Sequence, residues 1–176
     1  MMKTHLDSSP VKSISFAAFV NDFLQLTKFR LALSVVFSSV AGYLLAVDQV
    51  ETKILIGLFI GGFAMVGASN AINQLIEKDF DALMNRTKNR PLPTGSMSVL
   101  AAATIAIVLT VLGIMMLYAI NIKTALFGLL SIFIYTCIYT PLKTISPLAV
   151  FVGAFPGAIP FMLGWVAATG EFGVEP

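Results

Sequence analysis

Asn73, Glu77 and Asp81 recur at intervals of four within NQLIEKDFDALMNRTKNRPLP, residues 73–93. On a helix, where each residue turns by about 100°, such positions form one stripe, with Asn70 nearly above them and Asp79 turned to the far side. Two carboxylates one turn apart can hold a hard cation such as Mg2+ through oxygen, because Mg2+ takes one or two carboxylates supplemented by water and phosphate. Arg86 and Arg90, also four apart if the helix continues, supply bidentate donors for phosphate oxygens. Metal and guanidinium together describe a diphosphate site. Lys143, in YTPLKTISP, is a further cation from a separate segment. The plainer reading is a solvated helix end whose acids pair with Lys78, Arg86 and Arg90, with Lys143 an ordinary basic loop residue.

The elements that must position these residues follow from composition. Of 176 residues, 57% are hydrophobic and 11% charged, far from the balance of a soluble domain. Uncharged spans run over Leu31–Val47, Ile54–Ile76, Pro91–Ile122, Thr124–Leu142 and Thr144–Gly170, each close to or beyond the ~20 residues a helix needs to cross hydrocarbon. The expected fold is all-α, a polytopic transmembrane helical bundle with five crossings. Barrel strands are disfavoured, since the short alternating pattern is missing and lipid makes each segment satisfy its own backbone. Lys3, Lys12, Lys28, Arg30, Lys78, Arg86, Lys88, Arg90 and Lys143 fall on one side of that model and Lys53 and Lys123 on the other, so the first side, with the amino terminus, is expected to be cytoplasmic.

Several finer expectations accompany this frame. Pro91-Leu92-Pro93 should stop the helix and return the chain to the membrane, with Thr94 or Ser96 capping the next helix. Phe16, Phe19, Val20, Phe23 and Leu26 have helical spacing, which fits an interfacial helix or an extension of the first crossing. Cys137 reads as packing, and His5, the only histidine, lies in the polar tail away from the crossings. Gly153, Pro156, Gly157, Pro160 and Gly164 permit a kinked last helix and close backbone approach. The basic residues are too few, and too mixed with acids, for nucleic acid.

The 73–93 segment resembles the first aspartate-rich motif of the UbiA superfamily of intramembrane prenyltransferases, in the form NxxxDxxxDxxxxRTxxRP. YTPLKTISPLAVFVGAFPGAIPFMLGWVAATG resembles the following region of the branch of that superfamily that farnesylates haem. The resemblance covers Asn70 to Gly170 most strongly. It implies transfer of a farnesyl group from farnesyl diphosphate to a vinyl group of haem b, giving haem o for terminal oxidases. It also implies catalytic roles for Asn73, Glu77 and Asp81, Mg2+ on Glu77 and Asp81, and diphosphate binding by Arg86, Arg90, Lys143 and Asn70. Position 77 carries Glu where the motif usually has Asp, and Phe29 stands where relatives often have Pro. The family has about nine crossings, each needing ~20 residues, and a second aspartate-rich motif, so the chain is expected to be an amino-terminal fragment, inactive alone. Residues 1–28 would form the polar tail and interfacial helix, and 29–176 a partial prenyltransferase domain. The implied setting is the bacterial inner membrane, with the bilayer, haem A synthase and terminal oxidase subunits as partners. Competing readings are prenylation of an aromatic quinone precursor, a transporter, and a catalytically silent assembly factor. A transporter would place ionisable residues near the bilayer centre, whereas these gather at one edge.

Overall fold

The computed structural model describes residues 15–172. Its helices are α1 (Phe16–Leu26), α2 (Phe29–Ala46), α3 (Thr52–Leu83), α4 (Pro91–Thr94), α5 (Val99–Tyr118), α6 (Ile122–Phe133), α7 (Thr140–Leu142) and α8 (Ala149–Thr169), with a π-helical segment, Ile134–Tyr139, joining α6 to α7. Five spans are long and apolar enough to cross a membrane: α2, α3, α5, the continuous run Ile122–Leu142, and α8. These are the five crossings expected from the uncharged spans. The tail that holds Lys3, His5 and Lys12 lies outside the described residues.

The third helix is the axis of the arrangement. Its 32 residues rise about 48 Å, well beyond the ~30 Å of a bilayer core, so its last turns carry the polar stripe past the apolar region. It packs on α2 and α5, while α2 packs on α8. Lipid offers no hydrophobic drive between helices, so close contact must come from small residues. At the α2–α8 seam a Cβ on Gly164 would lie 1.9 Å from the Ser39 carbonyl oxygen, and one on Gly42 would lie 2.2 Å from that of Phe161. This is the close approach expected from the glycines of the last helix. Tyr43, Leu58, Met65, Leu117 and Leu163 form the main core, and Leu26, Ala71, Met97 and Ala102 a second one beneath α1.

Turns are closed locally. Asn121 Oδ1 accepts from the Thr124 amide at 2.8 Å, and Asn121 Nδ2 donates to the Val166 carbonyl at 3.1 Å, which ties the start of α6 to α8. Ser98, rather than Thr94 or Ser96, caps α5, its Oγ accepting from the Ala101 amide at 3.1 Å. Helix α3 ends at Leu83, so Arg86 and Arg90 lie on a loop and not one helical turn apart; Pro91 opens α4 instead of stopping α3. Residues Thr27 and Lys28 separate α1 from α2, which makes α1 a distinct helix rather than an extension of the first crossing. Cys137 is exposed rather than packed.

Candidate functional site

At the end of the bundle where α3 finishes, Asn73, Glu77 and Asp81 face a cleft of about 610 Å³, also lined by Lys28, Arg90 and Lys143. Asn73 and Asp81 are nearly sealed, at 1% and 3% exposure. Buried amides and carboxylates at a membrane edge need partners, and each has one from another part of the chain. Lys143 Nζ lies 2.6 Å from Glu77 Oε1, and Asn73 Nδ2 donates to Glu77 Oε2 at 2.9 Å. Asn73 Oδ1 accepts from Lys143 Nζ at 3.2 Å. Arg90 Nη1 meets Asp81 Oδ2 at 2.5 Å, while Thr87 Oγ1 donates to the Asp81 carbonyl at 3.1 Å and pins the loop that carries Arg90. The acids thus pair with Arg90 and Lys143 rather than with Lys78 or Arg86. Arg86 lines the cleft but stays exposed. Asp79 is exposed, in keeping with its place off the stripe.

The π-helical segment shapes the opposite wall. Pro141 has no amide hydrogen to return to an upstream carbonyl, and the widened turn lies directly before it. Tyr135 and Tyr139 stack there with ring centroids 5.4 Å apart, and Lys143 Nζ sits 5.4 Å from the Tyr139 centroid. Thr140 Oγ1 is 3.0 Å from Asn73 Oδ1 and 2.8 Å from the Tyr135 carbonyl, its single proton serving one or the other. This hydroxyl locks the π-helical wall to α3.

Beyond the two tyrosines the cleft gives way to an apolar groove of about 530 Å³, lined by Leu31, Val35, Val150, Ala154 and Pro160 and sharing Tyr135 and Tyr139 with the cleft. Pro156, Gly157 and Gly153 of α8 line it too, so the residues that interrupt that helix border a cavity. Asn70 belongs to this groove and not to the charged cleft: its Nδ2 donates to the Val66 carbonyl at 3.0 Å, and its buried Oδ1 has no partner. One turn back from Asn73, it sits too deep to join the ion pairs.

Four cations, Lys28, Arg86, Arg90 and Lys143, face two carboxylates, Glu77 and Asp81, so the cleft favours a polyanion. Among the described residues no three histidine, cysteine or acidic side chains gather as a closed metal cage. Two carboxylates on one face of an open cleft nevertheless fit Mg2+, which takes one or two carboxylates and keeps its remaining positions for water and phosphate. The whole is a cation-rich cleft joined, at Tyr135 and Tyr139, to an apolar groove.

A family model described as the UbiA prenyltransferase family matches residues 35–176. The chain belongs to that family. Among curated relatives, Protoheme IX farnesyltransferase of Flavobacterium psychrophilum is 63% identical over 169 residues, 94% of this chain and 55% of that protein. The protein of the same name from Christiangramia forsetii is 65% identical over 160 residues, 91% of this chain and 53% of its own length. The chain therefore spans about half the length of the curated relatives it matches. A solved structure of a UbiA homolog from Archaeoglobus fulgidus bound to DMAPP and Mg2+ superposes with a TM-score of 0.75 at 22% identity, over 87% of this chain and 56% of that one, a likeness of fold.

Within this UbiA bundle, six of the seven sequence-selected residues converge on the cleft, Asn70 being the exception. Lys28, Thr87, Tyr135, Tyr139 and Thr140 belong to the site as well, brought there by the fold. For Tyr139 a signal existed, since it stands one turn before Lys143. Lys28 reads in sequence only as a topological charge. In the structure it is the single non-glycine residue with positive φ among those described, at 48°, a left-handed conformation costing a residue with a Cβ about 1 kcal/mol. Burial pushes its ammonium down to about 8, with Arg90 and Lys143 adding to the effect and Glu77 and Asp81 opposing it.

Proposed function

We propose that this chain carries the diphosphate-binding part of an enzyme that transfers a farnesyl group from farnesyl diphosphate to a vinyl group of haem b, giving haem o. The observation that carries this reading is a cation-rich cleft opening, past two tyrosines, onto an apolar groove. The donor has the same division, a polyanion joined to a hydrocarbon chain. The acceptor is argued from the relatives, whose printed name is Protoheme IX farnesyltransferase.

In this mechanism Lys143 and Arg90 keep Glu77 and Asp81 neutralised until the donor enters, then turn to its phosphate oxygens together with Arg86. Asn73 holds Glu77 and Lys143 in register. Glu77 and Asp81 would hold Mg2+, which supplies Lewis-acid stabilisation of the departing diphosphate. The allylic C–O bond breaks with its electron pair on the diphosphate, and the farnesyl carbon bonds to the vinyl terminus. Water adds to the carbon left cationic and releases a proton. Tyr135 and Tyr139 stand at the junction where positive charge develops, with ring faces suited to stabilise it. A groove walled by apolar side chains keeps water from the chain until transfer is complete. The polar end is assigned to the cytoplasmic face of a bacterial inner membrane, with haem A synthase and terminal oxidase subunits as downstream partners.

Incubation of the full-length membrane protein with farnesyl diphosphate and either haem b or 4-hydroxybenzoate tests the reading by product mass. A product from haem b alone is expected. Farnesylated hydroxybenzoate with unmodified haem would overturn it.

A further inference from the structure

Three cations reach the cleft from segments whose sequence announces them, but the fourth arrives through a strained joint. Lys28 sits between α1 and α2 with φ 48° and ψ 57°, a conformation that a side chain with a Cβ keeps only where its surroundings impose it. Those surroundings are identifiable. Gln74 of α3, 1% exposed, donates from one amide nitrogen to the carbonyls of Gln25 at 3.1 Å and Leu26 at 3.0 Å, the last two residues of α1. Thr27, fully buried, closes the same corner by donating from Oγ1 to the Phe23 carbonyl at 2.9 Å. Gln74 follows Asn73 directly, so the turn of α3 that bears the acidic face also clamps the joint.

Lys28 differs from its neighbours in its electrostatics. Arg90 and Lys143 each hold a carboxylate, whereas among the described residues Lys28, like the exposed Arg86, has no acidic partner within salt-bridge distance. It is nonetheless largely covered, and desolvation lowers its ammonium to about 8. An unpaired, partly desolvated cation lining a cleft is stabilised by an incoming anion.

We propose that Lys28 is a further anion-binding residue of this site, presented to the cleft by the left-handed joint, and that Gln74 is its positioning residue. The proposal rests on the prenyl-transfer reading for the identity of the ligand. The anion is a phosphate or carboxylate oxygen, from the diphosphate of the donor or from a carboxylate of the haem acceptor.

The test uses the full-length enzyme with two binding measurements, inorganic diphosphate as competitor and haem b by absorbance titration. Lys28→Gly is the decisive variant, because glycine prefers the left-handed region and keeps the joint while removing the cation. Loss of affinity by about tenfold is expected in one measurement, the size of one charge-assisted hydrogen bond, and the affected ligand names the source of the anion. Lys28→Arg should recover part of that loss. Gln74→Leu leaves the charge present, so it should raise KM for the same ligand more than it lowers kcat, and add nothing further in a Lys28→Gly background. Unchanged affinity for both ligands in Lys28→Gly would overturn the proposal, as would an additive Gln74→Leu effect. Wild-type protein that binds diphosphate yet makes no farnesylated haem would remove the proposed reaction and leave the lysine arm standing.

Discussion

At the scale of the residue, the two acids are balanced on separate cations, and the consequences of changing them differ. Asp81→Asn removes the charge that Arg90 meets at 2.5 Å and half of the proposed metal set. Farnesyl transfer is expected to fall by about 10²-fold or more at saturating Mg2+, and thorough chelation of divalent ions in the wild type should abolish it. Glu77→Asp shortens the arm that reaches Lys143 but keeps both carboxylate oxygens, so transfer should persist within about tenfold, read as product formed over a Mg2+ titration. Lys28 gives the site a pH signature. Its ammonium faces Glu77 and Asp81 of α3, Arg90 of the following loop and Lys143 beyond α7, and burial lowers it from 10.5 to about 8. Because the anion-binding form is the protonated one, affinity for whichever ligand loses binding in Lys28→Gly, inorganic diphosphate or haem b, should weaken as pH rises through about 8, and this limb should vanish in that variant. For stability the direction is opposite. The folded protein sheds this proton near 8 and the unfolded chain near 10.5, so the unfolded state binds more protons between those values and this lysine's contribution to folding improves across that window.

At the scale of the element, two glycines of α8 separate packing from permissiveness. Gly164 touches the backbone of α2 so closely that a Cβ would lie 1.9 Å from the Ser39 carbonyl oxygen, whereas one at Gly157 would meet nothing within 4 Å. Gly164→Ala must push the two helices apart and should destabilise by about 2 kcal/mol or more, while Gly157→Ala should stay within about 0.5 kcal/mol. Thermal unfolding of the detergent-solubilised protein distinguishes them, and equal loss at both sites would contradict the seam as described. The long third helix does a different task. Its excess length over a bilayer lifts Glu77 and Asp81 to the water edge while Asn70, one turn before Asn73, stays in the apolar groove.

At the scale of the whole molecule, the five crossings bring α3, its following loop, the α1–α2 joint and the segment after α7 to one end. If that end is cytoplasmic, a cysteine placed at exposed Lys88 in a Cys137→Ser background should react with an impermeant thiol reagent only in inside-out vesicles. Labelling in right-side-out vesicles would reverse the assigned orientation. The number of crossings and the acidic stripe were legible beforehand because both are local properties. A membrane leaves an apolar run of sufficient length no alternative to a helix, and spacing on a helix defines a face without reference to any partner. The point where α3 ends was less legible, since residues 84–90 carry no glycine or proline until Pro91, and the bond from Thr87 to the Asp81 carbonyl closes the loop through tertiary geometry. What periodicity had no means of expressing was the choice of partners. Lys143 on Glu77, Thr140 beside Asn73 and Lys28 over the cleft are contacts between segments far apart in the chain, selected by how helices pack through glycines and where one amide, Gln74, clamps a corner. Local chemistry determined which groups were available; the packed bundle decided which of them share a site.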